Sequence, residues 1–244
     1  KQICKPDEVL IVCDGPIKSE IEDYLLSEQS QKNVWDLTVV RSSQNRGLGL
    51  ALKQGVELAK FEWIVRMDAD DISDAKRIYR LKEKLSQGYQ IVGSNMTEFD
   101  STGVISVKKV PMQNDDIRKL LSFRNSLNHP SVAINRSVII EMGNYRDVPN
   151  FEDFDLWARC ARNTGVRFHN IQESLVHFRV SPNIWKRRRG WKYMKREIKF
   201  NRLRYKEQDI SLFRFILNSL RAIIFRNLPK FIFIYVTKKL LRNE

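Results

Sequence analysis

The first 70 residues alternate short apolar runs with segments of helical spacing, and this order limits the folds open to the chain. The runs EVLIVC, LTVVR and FEWIV have the length and composition of buried strands. Between them, apolar side chains recur every three or four residues, as in NRGLGLALKQGVELAK, which is typical of amphipathic helices. The order strand, helix, strand, helix, strand predicts a parallel α/β sheet with right-handed connections and a binding crevice at its carboxyl edge.

The pattern becomes mixed after residue 75. DAKRIYRLKEKLSQ predicts a surface helix, and QIVGSNMTEF and VISVKKV predict a β-hairpin that turns at residues 100–103. DDIRKLLSF and FEDFDLWARCARNTG predict helices, the second stopping at Gly165. SVAIN, VRFHN and SLVHFRV predict three further short strands.

Composition excludes several classes of protein. The 244 residues are 42% apolar, enough for one large domain with an appendage. Three widely spaced cysteines, Cys4, Cys13 and Cys160, predict neither a disulfide framework nor a zinc site, which fits a reducing compartment. No run reaches the roughly 18 uncharged apolar residues of a spanning helix, and no signal peptide is recognisable.

Three carboxylates follow the third predicted strand in RMDADDIS: Asp68, Asp70 and Asp71. Carboxylates this close repel one another, so we expect a cation among them. A divalent ion such as Mn²⁺ or Mg²⁺ prefers hard oxygen ligands and would bridge the protein and a substrate diphosphate. The alternative is that Asp70 or Asp71 only caps the next helix.

At this point the sequence resembles a known family. NRGLGLALKQG followed by WIVRMDADDISDAKRI is similar to the core of the inverting bacterial glycosyltransferases of family two, which build capsule, O-antigen and exopolysaccharide. CDGP before this core, and NHPSVAINRSVI, GNYRD and FEDFDLWAR after it, continue the likeness in order over about residues 5–180. A DxD motif alone is weak evidence, whereas the ordered set is specific.

The resemblance implies the GT-A fold, an α/β fold with a mixed, mostly parallel sheet flanked by helices. The family's first strand would precede Lys1, so we expect a catalytic domain over residues 1–182 that lacks its first strand and helix. Buried sheet edges would then be unpaired, which folded proteins avoid. Residues 183–244 are expected to form a basic, amphipathic helical tail.

The resemblance also implies roles for single residues on the donor side. Asp14 would lie near the nucleotide base, with Arg46 and Gly47 in the same pocket; for Asp14 the alternative is a turn after a strand. Asp68 would face the ribose or sugar and Asp70 the metal, forming the DxD pair. His129 would contact the donor or the acceptor. His177 would be a third metal ligand or would contact phosphate together with Arg179.

A second acidic cluster, FEDFDLW, supplies the expected catalytic base. An inverting transfer needs a carboxylate that takes the proton of the acceptor hydroxyl as its oxygen attacks the anomeric carbon. The family places this base in a Glu-Asp motif, here Glu152 and Asp153, and we assign the role to Asp153. The alternative is that both acids only favour a helix N-terminus, worth roughly 0.3 to 1 kcal/mol each.

The net charge of +14 resides in the tail. Residues 186–244 hold 18 Lys and Arg against 4 Asp and Glu, and the rest of the chain is neutral. Bulky apolar residues interleaved with Arg and Lys favour helices in an anionic membrane interface. Packing on the domain or on a second copy, as a homodimer, is the alternative, and nucleic acid is disfavoured.

The sequence therefore predicts a metal-dependent inverting glycosyltransferase. It would use a nucleotide-diphosphate sugar, a UDP-sugar by preference, and a lipid-linked acceptor at the cytoplasmic face of the bacterial inner membrane. One rival is a phosphatase of the haloacid dehalogenase type, with Asp68 as nucleophile, although Asp71 and Ile72 fit that motif poorly. The other rival is a noncatalytic binding protein.

Overall fold

The computed structural model describes residues 2–31, 35–181 and 184–242. The chain begins with a parallel unit: β1 (Glu8–Cys13), α1 (Ser19–Ser30), β2 (Asp36–Arg41) and α2 (Leu48–Leu58). β1 and β2 pair in parallel, from Glu8 opposite Asp36 to Cys13 opposite Arg41. The strand–helix–strand arrangement predicted for this part of the chain is confirmed.

The remaining described strands form a six-stranded sheet: β3 (Trp63–Val65), β4 (Ile72–Ser73), β5 (Ile91–Asp100), β6 (Gly103–Lys108), β7 (Ala133–Asn135) and β8 (Phe168–Arg179). The order is β3-β7-β5-β8-β4, with β6 on β5. The α/β class and the mixed sheet are as predicted. Of the six described ladders only β1–β2 and β5–β8 are parallel, but these two hold more than half of the paired residues. The other four ladders, which involve the β5–β6 hairpin, β7 and β4, are antiparallel.

Two details of this sheet differ from the prediction. VRFHN and SLVHFRV lie in the one strand β8, and its pairing with β5 shifts register near Asn95. The polar residues between the two apolar runs therefore belong to an irregular strand instead of a turn. The two-residue strand β4, directly after the acidic cluster, was not predicted; it pairs with Val176 and His177 of β8.

The edges of the two sheets are only partly covered. Among the described strands, β1 pairs with β2 alone and β3 with β7 alone. The residues of both strands are half-buried, except for buried Cys13. Unpaired sheet edges were predicted, without naming the strands.

Four helices enclose the sheet: α3 (Arg77–Leu85), α4 (Asn114–Leu121), α5 (Arg136–Glu141) and α6 (Glu152–Arg162). The main core joins the sheet to α4, α5 and α6, with Trp157, Phe168 and Ile117 fully buried. A smaller core between α3 and the sheet includes Leu81 and Val92. These cores hold the carboxyl end of β3 and the start of α6 in place.

The chain continues in four described helices: α7 (Ile184–Arg187), α8 (Trp191–Lys206), α9 (Leu212–Arg226) and α10 (Lys230–Arg242). The helical tail is as expected, but α8 belongs to the main core. Phe200 stacks on Phe151 with ring centroids 4.8 Å apart and lies 5.2 Å from Phe154. The boundary predicted at residues 182 and 183 lies outside the described residues.

Within the described ranges, no helix is both long enough and apolar enough to cross a bilayer.

Candidate active site

Asp14 follows β1 and holds the loop that opens α2. Its two carboxylate oxygens accept hydrogen bonds from the backbone N–H groups of Arg46, at 2.8 Å, and Gly47, at 2.9 Å. Gly47 has a φ of 95°, a conformation that favours glycine. The structure therefore brings together Asp14, Arg46 and Gly47, the three residues predicted to surround a nucleotide base.

The acidic cluster contains a cation supplied by the protein itself. Buried Arg66, 8% exposed, forms an ion pair with both carboxylate oxygens of Asp68, with a distance of 2.6 Å from Nη1 to Oδ2. Paired Arg and carboxylate groups of this kind are strongly oriented. Asp68 is thus fixed in direction, and part of the repulsion among the aspartates is neutralised before a ligand binds.

A second arginine lies beneath the same segment. Arg77 at the start of α3 is 1% exposed and donates to the carbonyl oxygens of Arg66 and Pro130, at 2.5 Å and 2.8 Å. Burial, with a smaller contribution from the nearby charge of Arg66, lowers the pKa of Arg77 to about 9. Arg77 therefore anchors the end of β3 to the segment before β7 and keeps positive charge below the aspartates.

Asp70 is the open member of the cluster. Its side chain is exposed, and within the described ranges it makes no hydrogen bond or ion pair. Asp71 is half-buried and accepts a 2.8 Å hydrogen bond from the backbone N–H of Arg179. Burial raises the pKa of Asp71 to about 6, and the charges of Asp68 and Asp70 contribute in the same direction.

Arg179 ends β8 beside this cluster. Its Nε donates to the Asp70 carbonyl oxygen at 3.0 Å, and its guanidinium lies 4.6 Å from the Phe99 ring centroid. The side chain is exposed. An exposed arginine held here by a stacking contact is suited to contact an anionic group bound at the aspartates.

The fit of a divalent ion to these residues is partial. In the described part of the chain, no three His, Cys, Asp and Glu side chains converge to hold a metal. Asp70 fits as an open carboxylate, while Asp68 is occupied by Arg66. His177 lies opposite Ile72 across the β4–β8 ladder, but the three predicted ligands do not form a closed site. This matches the way proteins hold Mg²⁺, through one or two carboxylates plus substrate phosphates.

His129 occupies a different position from the one expected for a substrate contact. The side chain is 9% exposed, its Nε2 lies 2.9 Å from the Tyr145 hydroxyl, and its ring meets the edge of Trp157. Burial lowers the pKa of His129 well below its usual value, as does the charge of Arg66. Its burial argues against direct contact with a donor or acceptor and assigns it a supporting place behind the site.

The second acidic cluster lies at the start of α6. Asp153 is half-buried and accepts hydrogen bonds from the Asn125 side-chain amide, at 2.7 Å, and from the Phe154 backbone N–H, at 2.8 Å. The N-terminal end of a helix favours negative charge. Asp153 is therefore a carboxylate fixed in direction and retaining lone pairs for a further proton.

Glu152 is packed between α6 and α2. A Cβ on Gly49 would lie 3.1 Å from Cγ of Glu152 and 2.6 Å from the Arg146 carbonyl oxygen. Burial raises the pKa of Glu152. Glu152 is thus less available than Asp153, and glycine at position 49 permits the close approach of the two helix starts.

The buried pair of His129 and Tyr145 links the two carboxylate clusters. Burial raises the pKa of Tyr145, and among smaller effects Arg66 lowers it while Asp153 raises it. The DxD segment and the start of α6 are therefore within electrostatic reach of the same hydroxyl.

Sequence reasoning missed several residues that shape this region. Arg66, Arg77 and Asn125 hold the DxD segment and Asp153, and Tyr145 contacts His129 behind them. Arg66 carried a signal, because it is two residues before Asp68 in RMDADD. The other three contact the site across gaps in sequence that no local pattern encodes.

The fold places the chain in a structural class. The chain superposes on Staphylococcus aureus TarS in complex with UDP-GlcNAc with a TM-score of 0.61 at 12% identity. The superposition covers 100% of this chain and 67% of the TarS chain. The mannosyltransferase PcManGT of Pyrobaculum calidifontis, in complex with GDP-Man and Mn²⁺, gives a TM-score of 0.59 at 13% identity over 96% of this chain and 70% of its own. The predicted GT-A fold is confirmed.

The family model for glycosyl transferase family 2 matches residues 1–143. The chain belongs to this family. It is 34% identical, over 100% of its length and 88% of the relative, to the UDP-Gal:alpha-D-GlcNAc-diphosphoundecaprenol beta-1,3-galactosyltransferase of Escherichia coli. It is 30% identical, over 84% of its length and 76% of the relative, to the amylovoran biosynthesis glycosyltransferase AmsE of Erwinia amylovora. The chain is thus a glycosyltransferase related to those of bacterial polysaccharide synthesis, and the phosphatase alternative is wrong.

Proposed function

We propose that this glycosyltransferase moves a hexosyl or N-acetylhexosaminyl group from a UDP-sugar to a lipid-linked acceptor, with inversion at the anomeric carbon. The observation that carries the proposal is that two charged groups act on the buried Tyr145 hydroxyl: Arg66, which pairs with Asp68 in the segment that holds the open carboxylate of Asp70, and the oriented carboxylate Asp153. Such a pair of carboxylates suits the two tasks of the reaction: holding a diphosphate and removing a proton.

The donor side would be built from both sheets. The loop that is hydrogen-bonded to Asp14 would bind the nucleotide base, with Arg46 and Gly47 lining the pocket. Asp68, fixed by Arg66, would accept hydrogen bonds from the ribose or sugar hydroxyls. The exposed Arg179 guanidinium would contact the diphosphate, because a planar cation pairs well with phosphate oxygens.

A divalent ion, Mn²⁺ or Mg²⁺, fits the open side chain of Asp70, with Asp68 and His177 as further candidate ligands. When bound, it would neutralise negative charge on the departing nucleotide. The PcManGT structure, a complex with GDP-Man and Mn²⁺, supports this choice of cofactor. Only one or two protein ligands are expected, since the diphosphate supplies the others.

The acceptor side would depend on Asp153. Its carboxylate would take the proton of the acceptor hydroxyl as that oxygen forms the new bond to the anomeric carbon and the bond to the nucleotide diphosphate breaks. The hydrogen bond from Asn125 holds the carboxylate in direction. Glu152 would support the start of α6 beside it.

A relative supports the choice of acceptor class. The Escherichia coli relative is named for a diphosphoundecaprenol-linked GlcNAc acceptor and a UDP-Gal donor, and its likeness spans the whole chain. We therefore favour a polyprenyl-diphosphate-linked sugar, met at the cytoplasmic face of the inner membrane by a peripherally attached enzyme.

The test is transfer by the full chain from a panel of labelled nucleotide sugars to a polyprenyl-diphosphate-linked sugar, with Mn²⁺ and with chelator. We expect transfer from a UDP-sugar with Mn²⁺ and its loss with Asp153→Asn, while donor binding survives that change. The noncatalytic alternative predicts that Asp153→Asn retains all biological function. Full transfer by this variant would reject Asp153 as the base.

A further inference from the structure

The outward face of α9 is entirely apolar. At 100° per residue, the exposed side chains of this helix occupy one continuous arc. Each is between 39% and 74% exposed: Leu212, Phe213, Ile216, Leu217, Leu220, Ile223 and Ile224. A face of this size with no charge on it is typical of an interaction site rather than of a solvated helix.

The inward face of α9 is mixed: it includes buried Ala222, and its polar side chains bind the helix to the domain. The Asn218 side-chain amide, 1% exposed, donates to the Ser122 carbonyl oxygen at 3.2 Å. Arg221 and Arg226 both donate to buried Glu197 of α8, at 2.9 Å and 2.6 Å. The usual orientation of an amphipathic surface helix is therefore reversed, and buried ion pairs keep the apolar side turned outward.

The neighbouring helix α8 supplies positive charge beside this face. Its exposed side carries five cations and no acid: Lys192, Lys195, Lys199, Arg202 and Lys206. Tyr205, at the edge of that side, stacks on Phe215 of α9 with ring centroids 5.6 Å apart. The edge of the basic side of α8 therefore contacts α9 at this pair of rings.

Aromatic residues on α8 and α10 are exposed as well. Trp191 at the start of α8 is 62% exposed with Lys195 over its ring at 5.3 Å, and Phe231 and Tyr235 of α10 are 73% and 63% exposed. Exposed aromatic rings next to cations are typical of segments at the boundary between lipid headgroups and acyl chains.

We infer that α9 lies in the interface of an anionic phospholipid bilayer, with its apolar face at the acyl boundary and the cations of α8 on the headgroups. Charge decides between this occupant and a second copy of the chain. A symmetric contact across α9 would bring two basic α8 faces together, which like-charge repulsion opposes. An anionic surface instead attracts each nearby cation.

This surface is connected to the proposed catalytic base. Arg221 donates to the Phe123 carbonyl oxygen at 3.1 Å, so α9 holds the segment 122–125, from which Asn125 donates to Asp153. On the proposed function, on which this step rests, docking of α9 sets the distance of Asp153 from the membrane that carries the acceptor. Lipid binding itself does not depend on any catalytic role.

The test is flotation of the full chain with vesicles of phosphatidylethanolamine and phosphatidylglycerol. A variant with Leu217→Gln, Leu220→Gln and Ile224→Gln should show about a hundred-fold lower partitioning, since three apolar side chains no longer leave water. The matched control changes three equally exposed residues elsewhere, Ile21→Gln, Leu26→Gln and Leu58→Gln, and should float as the unchanged chain does.

A second variant separates charge from apolar contact. Lys192→Gln, Lys195→Gln and Lys199→Gln should reduce binding about a hundred-fold on phosphatidylglycerol-containing vesicles and little on neutral ones. Equal flotation of the α9 variant and the unchanged chain would overturn the inference. So would a dimer, detected by light scattering, that the α9 variant converts to monomers. Lipid binding without any transferase activity would leave the inference standing and reject the proposed function.

Discussion

Arg66 and Arg77 place positive charge under the aspartates at the end of β3. Three carboxylates in four residues predicted a cation, and the structure supplies one from the chain itself through the pairing of Arg66 with Asp68. Asp70 is the member left open to a ligand. The metal requirement predicted from the sequence therefore concerns Asp70 more than Asp68.

Asp71 provides a pH-dependent test of this arrangement. Its pKa in the folded chain is raised from 3.8 to about 6, so the folded state binds more protons than the unfolded state in that interval. The free energy of unfolding should therefore fall as pH rises from about 4 to about 6, by about 2 kcal/mol after allowance for solvent screening. Asp71→Asn should lack this fall, measured by urea unfolding in chelator.

Asp100→Asn is the control for that measurement. The hydrogen bonds from Thr102 lower the pKa of Asp100, so its contribution to stability is lost as pH falls instead of as pH rises. Identical pH dependence for the Asp71 variant and the unchanged chain would contradict the buried position of Asp71.

Asn125 is a positioning residue for the proposed base. Asn125→Ala removes a hydrogen bond to a charged carboxylate, so kcat should fall about tenfold or more with the KM for donor unchanged. The acidic limb of the pH profile should also move to higher pH, because the ionised carboxylate has lost a donor. Ser122→Ala, in the same segment, should change neither kcat nor the pH profile. An unshifted pH profile would assign Asn125 a merely structural role.

At the scale of elements, replacing each of the two glycines of α2 by alanine should change stability in opposite directions. A Cβ at Gly49 would lie 2.6 Å from the Arg146 carbonyl oxygen, whereas one at Gly55 would lie 3.5 Å from Val12 Cγ2, an ordinary contact. Gly49→Ala should destabilise the protein by about 1 to 3 kcal/mol. Gly55→Ala should stabilise it by about 0.5 to 1 kcal/mol, since alanine is the better helix former. Urea unfolding measures both, and equal effects would contradict the packing of α2 on residue 146.

Local pattern predicted most elements because local chemistry fixes them. The β5–β6 hairpin and the start of α6 were predicted from DSTG and from the acids in FEDFDLW. The strand β4 has two residues, and its partner in β8 is about 100 residues away, so no local pattern could reveal it. Burial of His129 against Tyr145 and Trp157 depends on tertiary packing in the same way.

At the scale of the whole molecule, the basic C-terminal helices are part of the glycosyltransferase domain on one side and unpartnered on the other. The sequence showed their charge and apolar content, but not which face of each helix would pack. Phe200 of α8 is 2% exposed in the main core, and Phe213 of α9 is 74% exposed. The same type of side chain is thus buried in the core on α8 and exposed to solvent on α9.

These two phenylalanines give a matched test. Phe200→Ala should destabilise the full chain by about 3 to 5 kcal/mol, because it leaves a cavity beside Phe151 and Phe154. Phe213→Ala should change the free energy of unfolding by less than about 0.5 kcal/mol in the absence of lipid. Thermal or urea unfolding measures both. A negligible cost for Phe200→Ala would mean that the tail does not complete the core.

The central claim is that the carboxylate of Asp70 binds a sugar nucleotide together with a divalent ion, while Asp153 acts on the acceptor alone. Titration of UDP into the full chain, with Mn²⁺ and with chelator, tests it most directly. The unchanged chain and Asp153→Asn should bind UDP equally in Mn²⁺, and chelator or Asp70→Asn should weaken binding at least about tenfold. UDP affinity that is the same in every one of these conditions would contradict the claim.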